Sequence, residues 1–189
     1  MNDKINYERG EKMELIDIVN ENNEFTGQIE EREIAYEKGL WRRTVSCWIM
    51  NEKGEILLQK RSSNKKKNPN KWAKTGGQVD SGESVENAIF REVKEELGIS
   101  INDDDIKYLV GSTSINEQGD IINKHYNECY LVTKNIDISD IKIQKEEVSE
   151  VRYFSKDELL KRISNNYEDL TEKTGPWNFL KKILEDMCN

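Results

Sequence analysis

Gly77–Ile99 reads GQVDSGESVENAIFREVKEELGI, and its second half is patterned as one amphipathic helix. Ser84 stands where an N-cap hydroxyl would satisfy a free backbone N–H of the first turn. Glu86 and Asn87 follow, where negative charge suits the helix dipole. Gly98 falls where a left-handed stop is expected. At about 100° per residue, Ile89, Phe90, Val93 and Leu97 share one side. Glu92, Glu95 and Glu96 gather on another, because positions three and four apart are neighbours on a helix. Ala88 lies one turn above Glu92 on that acidic side, so little bulk is expected to block approach.

Carboxylates this close weaken a helix by about 0.2–0.5 kcal/mol per pair. Two readings follow. One is a solvated acidic face softened by Arg91 and Lys94. The other is a site for a hard divalent cation, since Mg²⁺ and Mn²⁺ prefer oxygen ligands and relieve the repulsion between them.

The flanking residues decide between these readings. The stretch fits G-x5-E-x7-R-E-U-x-E-E-x-G-U, with U aliphatic, at Gly77, Glu83, Arg91, Glu92, Val93, Glu95, Glu96, Gly98 and Ile99. At average usage such a coincidence arises roughly once in 10⁹ windows. The pattern is the signature of the Nudix hydrolases, and on it the chain is identified as resembling that family. No defined position departs from it.

The resemblance implies an α+β fold, a Nudix-type α/β/α sandwich around a mixed β-sheet. It also implies that Glu92, Glu95 and Glu96 coordinate Mg²⁺ or Mn²⁺, with the carbonyl of Gly77 joining them. Arg91 and Glu83 match positions that brace the loop and orient the glutamates. Beyond the motif, EKGLWRRTVSCWIMNEKGEILLQKRS looks most like the branch related to isopentenyl-diphosphate isomerase. In YNECYLV, Glu128 resembles a glutamate of that branch that supports catalysis, which makes it the leading acidic candidate outside the helix. Glu117 and Glu147 are weaker alternatives. The isomerase's catalytic Cys and a metal-binding His are absent from the KTGGQVD segment, and its other metal-binding His is replaced within GLWRRT. Isomerisation is therefore the poorer expectation.

The implied activity is hydrolysis of a phosphoanhydride in a nucleoside diphosphate linked to another moiety, by a metal-activated water. A Nudix-fold ligand sensor without turnover is the competing reading, although such a module could lose glutamates that this chain keeps. Arg61, which ends a strand beside a basic loop, is a candidate phosphate contact, because a guanidinium fork suits phosphate oxygens. Lys74 is placed with it. Lys65, Lys66 and Lys67 could close loosely over phosphate. Trp41, Tyr126 or Tyr153 could stack on a base, with core packing the simpler role.

Outside the motif the chain reads as follows. Residues 1–43 form an N-terminal extension with a hairpin over Glu14–Val19 and Phe25–Ile29. An exposed hairpin edge invites pairing, hence a possible homodimer. Residues 44–189 form the main domain. Thr44–Met50 and Glu55–Gln59 flank the turn NEKG. Ile106–Ile115, Ile121–Val132 and Val148–Phe154 read as strands. Ser155 opens a helix through a capping box. Pro176 starts a last helix with Trp177, Leu180, Ile183, Leu184 and Met187 on its apolar side. His125, the only histidine, is expected in a surface or structural role.

A net charge of −8 over 189 residues argues against broad attachment to nucleic acid. Cys47, Cys129 and Cys188 are widely spaced and give neither a zinc framework nor a disulfide pattern. No apolar run has the length of a signal peptide or a membrane span. The expectation is a cytoplasmic protein acting on a small diphosphate.

Overall fold

The computed structural model describes residues 14–118, 121–165, 168–171 and 176–186. The strands are β1 (Leu15–Val19), β2 (Phe25–Glu31), β3 (Trp41–Met50), β4 (Ile56–Arg61), β5 (Trp72–Ala73), β6 (Thr75–Gln78), β7 (Ile106–Gln118), β8 (Ile121–Thr133) and β9 (Val148–Phe154). The helices are α1 (Arg32–Glu37), α2 (Val85–Leu97), α3 (Lys156–Ser164) and α4 (Pro176–Asp186).

β3 organises the sheet. It pairs antiparallel with β1, β4 and β6, and parallel with β8 over its whole length, from Trp41↔Lys124 to Met50↔Thr133. The sheet is therefore mixed. β1 and β2 extend it on one side, so the N-terminal hairpin adds strands to this same sheet. The long parallel pairing also explains why β3 starts at Trp41, three residues before the sequence reading placed it.

Strand alternation sorts β3 into two cores. Val45, Cys47 and Ile49 face α2 and pack with Ala88, Ile89, Val93 and Leu97. Trp48 faces the other way, into a cluster with Leu159 of α3 and Trp177, Leu180 and Leu184 of α4. The Trp48 and Trp177 rings meet edge to face at 4.7 Å between centroids. These layers make the α/β/α sandwich. Met187 lies outside the described residues.

α2 begins and ends as its sequence dictates. The Ser84 hydroxyl accepts from the Asn87 N–H at 3.1 Å, and Gly98 closes the helix in the left-handed region at φ 72°. Two details differ. Phe90 is only half-buried. Ala88 is fully buried against the sheet, so it belongs to the core and opens no path to the glutamates. The segment before the motif, read as a lead-in, forms the short strands β5 and β6. Pairing with β4 and β3 fixes the backbone that approaches α2.

No helix among the described residues is long and apolar enough to cross a membrane.

Candidate active site

A cavity of about 480 Å³ opens where β3, β6, β8, α2 and the loop after β4 converge. Glu92, Glu95 and Glu96 line it, together with Gly77, Arg91, Arg61 and Lys74. The three glutamates differ sharply in exposure. Glu96 is 6% exposed, the Glu92 side chain 12% and the Glu95 side chain 53%. Glu92 and Glu96 thus form a wall between core and cavity, with Glu95 at its exposed edge.

Arg91 is the hub of this wall. Its Nε and Nη2 take both oxygens of Glu83, at 3.0 and 2.9 Å. Nη2 also donates to the Gln78 carbonyl at 2.8 Å, which ties the helix to the end of β6. Nη1 donates to Glu92 at 2.8 Å and to Glu95 at 3.2 Å. Burial would depress this guanidinium, but the hydrogen bonds to Glu83 and the charge of Glu92 outweigh it and hold Arg91 above its ordinary range. One side chain therefore ties together the loop, the strand end and two carboxylates.

Glu96 is held differently. Its Oε2 accepts from Gln59 Nε2 at 2.8 Å and from the Gly76 N–H at 3.3 Å. Both donors are neutral, and among the described residues no cation pairs with it. Burial pushes its carboxyl up to about 8, the charge of Glu92 adds to the effect, and the two donors only partly oppose it. Burial likewise raises Glu92 to about 7, against the pull of Arg91. A buried carboxylate without a cation is costly.

Gly77 lies directly beneath this group. A Cβ there would stand 2.3 Å from Glu92 Oε1, so only glycine lets the carboxylate rest on the strand. Gly76 needs its glycine as well, since at φ 154° a Cβ would meet the Val45 carbonyl at 2.2 Å.

Among the described residues, no three His, Cys, Asp or Glu side chains already converge as a ready-built metal cluster. The reason is visible. Arg91 draws Glu92 and Glu95 toward itself, while Gln59 and Gly76 draw Glu96 toward the sheet. The donor set is nevertheless the right kind for a hard cation, with oxygens on one cavity wall and the buried Glu96 carboxyl paired with no cation among the described residues. Gln59 Oε1 beside it is buried with no donor of its own among the described residues.

Arg61 and Lys74 both line the cavity. Arg61 Nε donates to the Lys67 carbonyl at 3.1 Å, and Lys74 Nζ stands 5.9 Å from the Trp48 ring centroid. Lys65 and Glu147 reach the cavity as an ion pair across its rim.

Glu128 is not brought to this site. It pairs with Val45 in the β3–β8 ladder, so its side chain takes the face that Val45 and Tyr130 turn toward α2, but it is not among the residues that line the cavity. There it accepts from Tyr108 Oη at 3.0 Å and Asn23 Nδ2 at 3.3 Å, beneath the β1–β2 turn. The Glu117 side chain lies outside the described residues. Tyr153 is tied to the Ile136 carbonyl at 3.0 Å and packs on the α2 core. Trp41 and Tyr126 stack on each other at 4.8 Å, away from the cavity lining. His125 lines the cavity, with its Nδ1 3.2 Å from Asn123 Oδ1.

Sequence reasoning missed Gln59, Gln78 and Arg42. A signal existed for Gln59. Two residues after Leu57 in ILLQKR, it takes the strand face that Leu57 buries, and a polar residue there must serve a partner. Cys47 and Cys129 are both buried, and neither is joined in a disulfide among the described residues. Burial pushes the Cys47 thiol well up, which leaves it inert.

The NUDIX domain family model matches residues 40–174. An uncharacterized Nudix hydrolase of Listeria monocytogenes is 36% identical over 78% of this chain and 83% of its own length. One of Listeria innocua is 34% identical over 92% of this chain and 95% of its own length. Among solved structures, DR0079 from Deinococcus radiodurans superposes with a TM-score of 0.64 over 92% of this chain and 98% of that one, at 24% identity. That likeness speaks for the fold.

Proposed function

The chain belongs to the NUDIX domain family and is a hydrolase of that family, and from this premise we propose its reaction. It hydrolyses a phosphoanhydride bond in a nucleoside diphosphate linked to a further moiety, with Mg²⁺ or Mn²⁺ as cofactor. The carrying observation is Glu96: a buried carboxylate on the cavity wall, facing neutral donors only, beside Glu92 and Glu95.

Glu92, Glu95 and Glu96 would hold the cation, together with the Gly77 carbonyl. When bound, the ion neutralises diphosphate charge and makes a water molecule acidic enough to attack phosphorus. The protein's own part is positioning. Arg91, clamped to Glu83 and the Gln78 carbonyl, keeps Glu92 and Glu95 at the wall. Gln59 and Gly76 keep Glu96 there. A carboxylate of this group takes the proton of the attacking water. Arg61 and Lys74 supply positive charge to the phosphate oxygens in a cavity that is otherwise acidic on one side. Glu128, bound to Tyr108 and Asn23 outside the cavity lining, takes no part.

The test is a panel of nucleotide sugars, ADP-ribose, dinucleoside polyphosphates, CDP-alcohols, nucleoside triphosphates and coenzyme A, assayed with Mg²⁺ or Mn²⁺ and with chelator. Turnover of at least one diphosphate, lost with chelator and in Glu96→Gln, supports the proposal. No ion-dependent turnover of any compound supports a binding protein instead.

A further inference from the structure

The acidic wall is one end of the cavity, and the other end is basic. Arg42 of β3 is 1% exposed and lines the cavity. Among the described residues it forms no ion pair, and its partners are all neutral. Nε donates to Gln78 Oε1 at 2.8 Å, Nη1 to the Lys124 carbonyl at 3.0 Å, and Nη2 to Asn123 Oδ1. A guanidinium carries five N–H groups. Three go to these oxygens and the Tyr36 hydroxyl also interacts with the fork, which leaves at least one terminal N–H unused.

Tyr36 of α1 covers the flat face of that guanidinium, with the Arg42 carbon 3.9 Å from its ring centroid. Lys67, from the loop after β4, places its Nζ 5.2 Å from the same centroid. Lys67 also forms no ion pair among the described residues. Arg32 stands 5.8 Å from the ring, but it is paired with Glu14. Burial would raise the Tyr36 phenol, yet the charges of Arg42, Arg32 and Lys67 outweigh it and lower it. The local field is thus strongly positive. A buried arginine with a donor to spare and no carboxylate is a poor structural element and a good anion receptor.

We propose that Arg42, Lys67 and the Tyr36 hydroxyl form a second anion subsite in this cavity, which selects substrates carrying an anionic group beyond the diphosphate. The group is a phosphate monoester or a carboxylate on the nucleoside or on the linked moiety. The proposal rests on the reading that the diphosphate sits at the α2 glutamates. Gln78 couples the two ends: its side chain holds Arg42, and its backbone carbonyl holds Arg91. Gly77, beneath Glu92, pairs with Val45, three residues along β3 from Arg42. At ~3.3 Å per residue the two subsites lie about 10 Å apart. The ligand must therefore separate its two anionic centres by roughly that span.

The test uses matched pairs differing by one anionic group: coenzyme A against 3′-dephospho-coenzyme A, NADPH against NADH, and UDP-glucuronate against UDP-glucose. Equilibrium binding to the full chain is measured by calorimetry with Mg²⁺ present, for wild type, Arg42→Gln and Lys67→Ala. The more anionic member of at least one pair should bind ten-fold tighter to wild type. The first two pairs report a phosphate monoester and the third a carboxylate. The preference should vanish in Arg42→Gln and shrink several-fold in Lys67→Ala. Lys67 is exposed on a loop, so its variant folds even if Arg42→Gln does not. Equal binding within all three pairs, including no binding at all, overturns the proposal, as does a preference that survives in both variants. Binding is read without turnover, so absent hydrolysis alone would count against the proposed reaction and leave this result standing.

Discussion

Gln59 Nε2 donates to Glu96 Oε2 at 2.8 Å in a fully enclosed setting, so a strand residue aims the most buried carboxylate of α2. Removing this donor while keeping side-chain volume should misplace Glu96 without opening the core. Gln59→Leu is expected to keep a native circular dichroism spectrum and to lose Mn²⁺ affinity by about 10–100-fold, as bracing residues around metal ligands commonly do. Calorimetric titration checks this. Unchanged affinity would mean that Glu96 needs no support from β4.

Arg91 joins Glu83, Glu92, Glu95 and the Gln78 carbonyl through one planar fork. A lysine cannot reach all of them at once. Arg91→Lys is expected to lower kcat/KM by about 10–100-fold. Its loss of thermal stability should be modest, because the charge is kept. Steady-state kinetics beside a melting curve separates the two effects.

Gly77 leaves no room for a side chain under Glu92. Gly77→Ala adds only a methyl group, but one that overlaps the carboxylate. Metal-dependent activity should fall by at least ten-fold, while a melting curve moves little, since the methyl faces a cavity wall and not the core. Activity equal to wild type would place the working position of Glu92 elsewhere.

The raised carboxyls give a pH dependence with a definite sign. Glu92 is raised from 4.5 to about 7 and Glu96 to about 8. Between 4.5 and those values the folded chain binds more protons than the unfolded one, so stability of the metal-free protein falls as pH rises through this window. Chemical denaturation in chelator at pH 5, 6.5 and 8 should show it. Mg²⁺ must displace the same protons, so its affinity should rise across this range and its stabilising effect should be largest at pH 8.

The N-cap of α2 offers a control that leaves the wall intact. Ser84→Ala removes the acceptor for the Asn87 N–H. The expected cost is about 1 kcal/mol. In a chain of this length that lowers Tm by about 2–4 °C. Activity per folded molecule should be unchanged.

The helix was the most legible part of this molecule. Ser84, Gly98 and the apolar spacing fixed α2 from local chemistry alone, and the fixed positions around it named the family. Burial of Glu92 and Glu96 was not legible, because helical periodicity says which residues share a side and not how deep that side sits. The setting of Glu128 was not legible for a related reason. Alternation told that it shares a face with Tyr126 and Tyr130, but only the register with Val45 tells which face of the sheet that is. Arg42 and Gln78 meet across 36 residues, and Arg42 and Asn123 across 81, so neither contact had a local signal. Gln59 did have one, as a polar residue on a buried strand face.

Everything proposed for this cavity depends on the α2 glutamates holding a divalent cation. Electron paramagnetic resonance of free Mn²⁺ during titration tests it most directly, on wild type and on a Glu92→Gln, Glu96→Gln double variant. Saturable binding by wild type with loss of at least 100-fold in affinity in the folded double variant is the predicted result. Equal binding by both proteins would mean that these glutamates are not the cation's ligands.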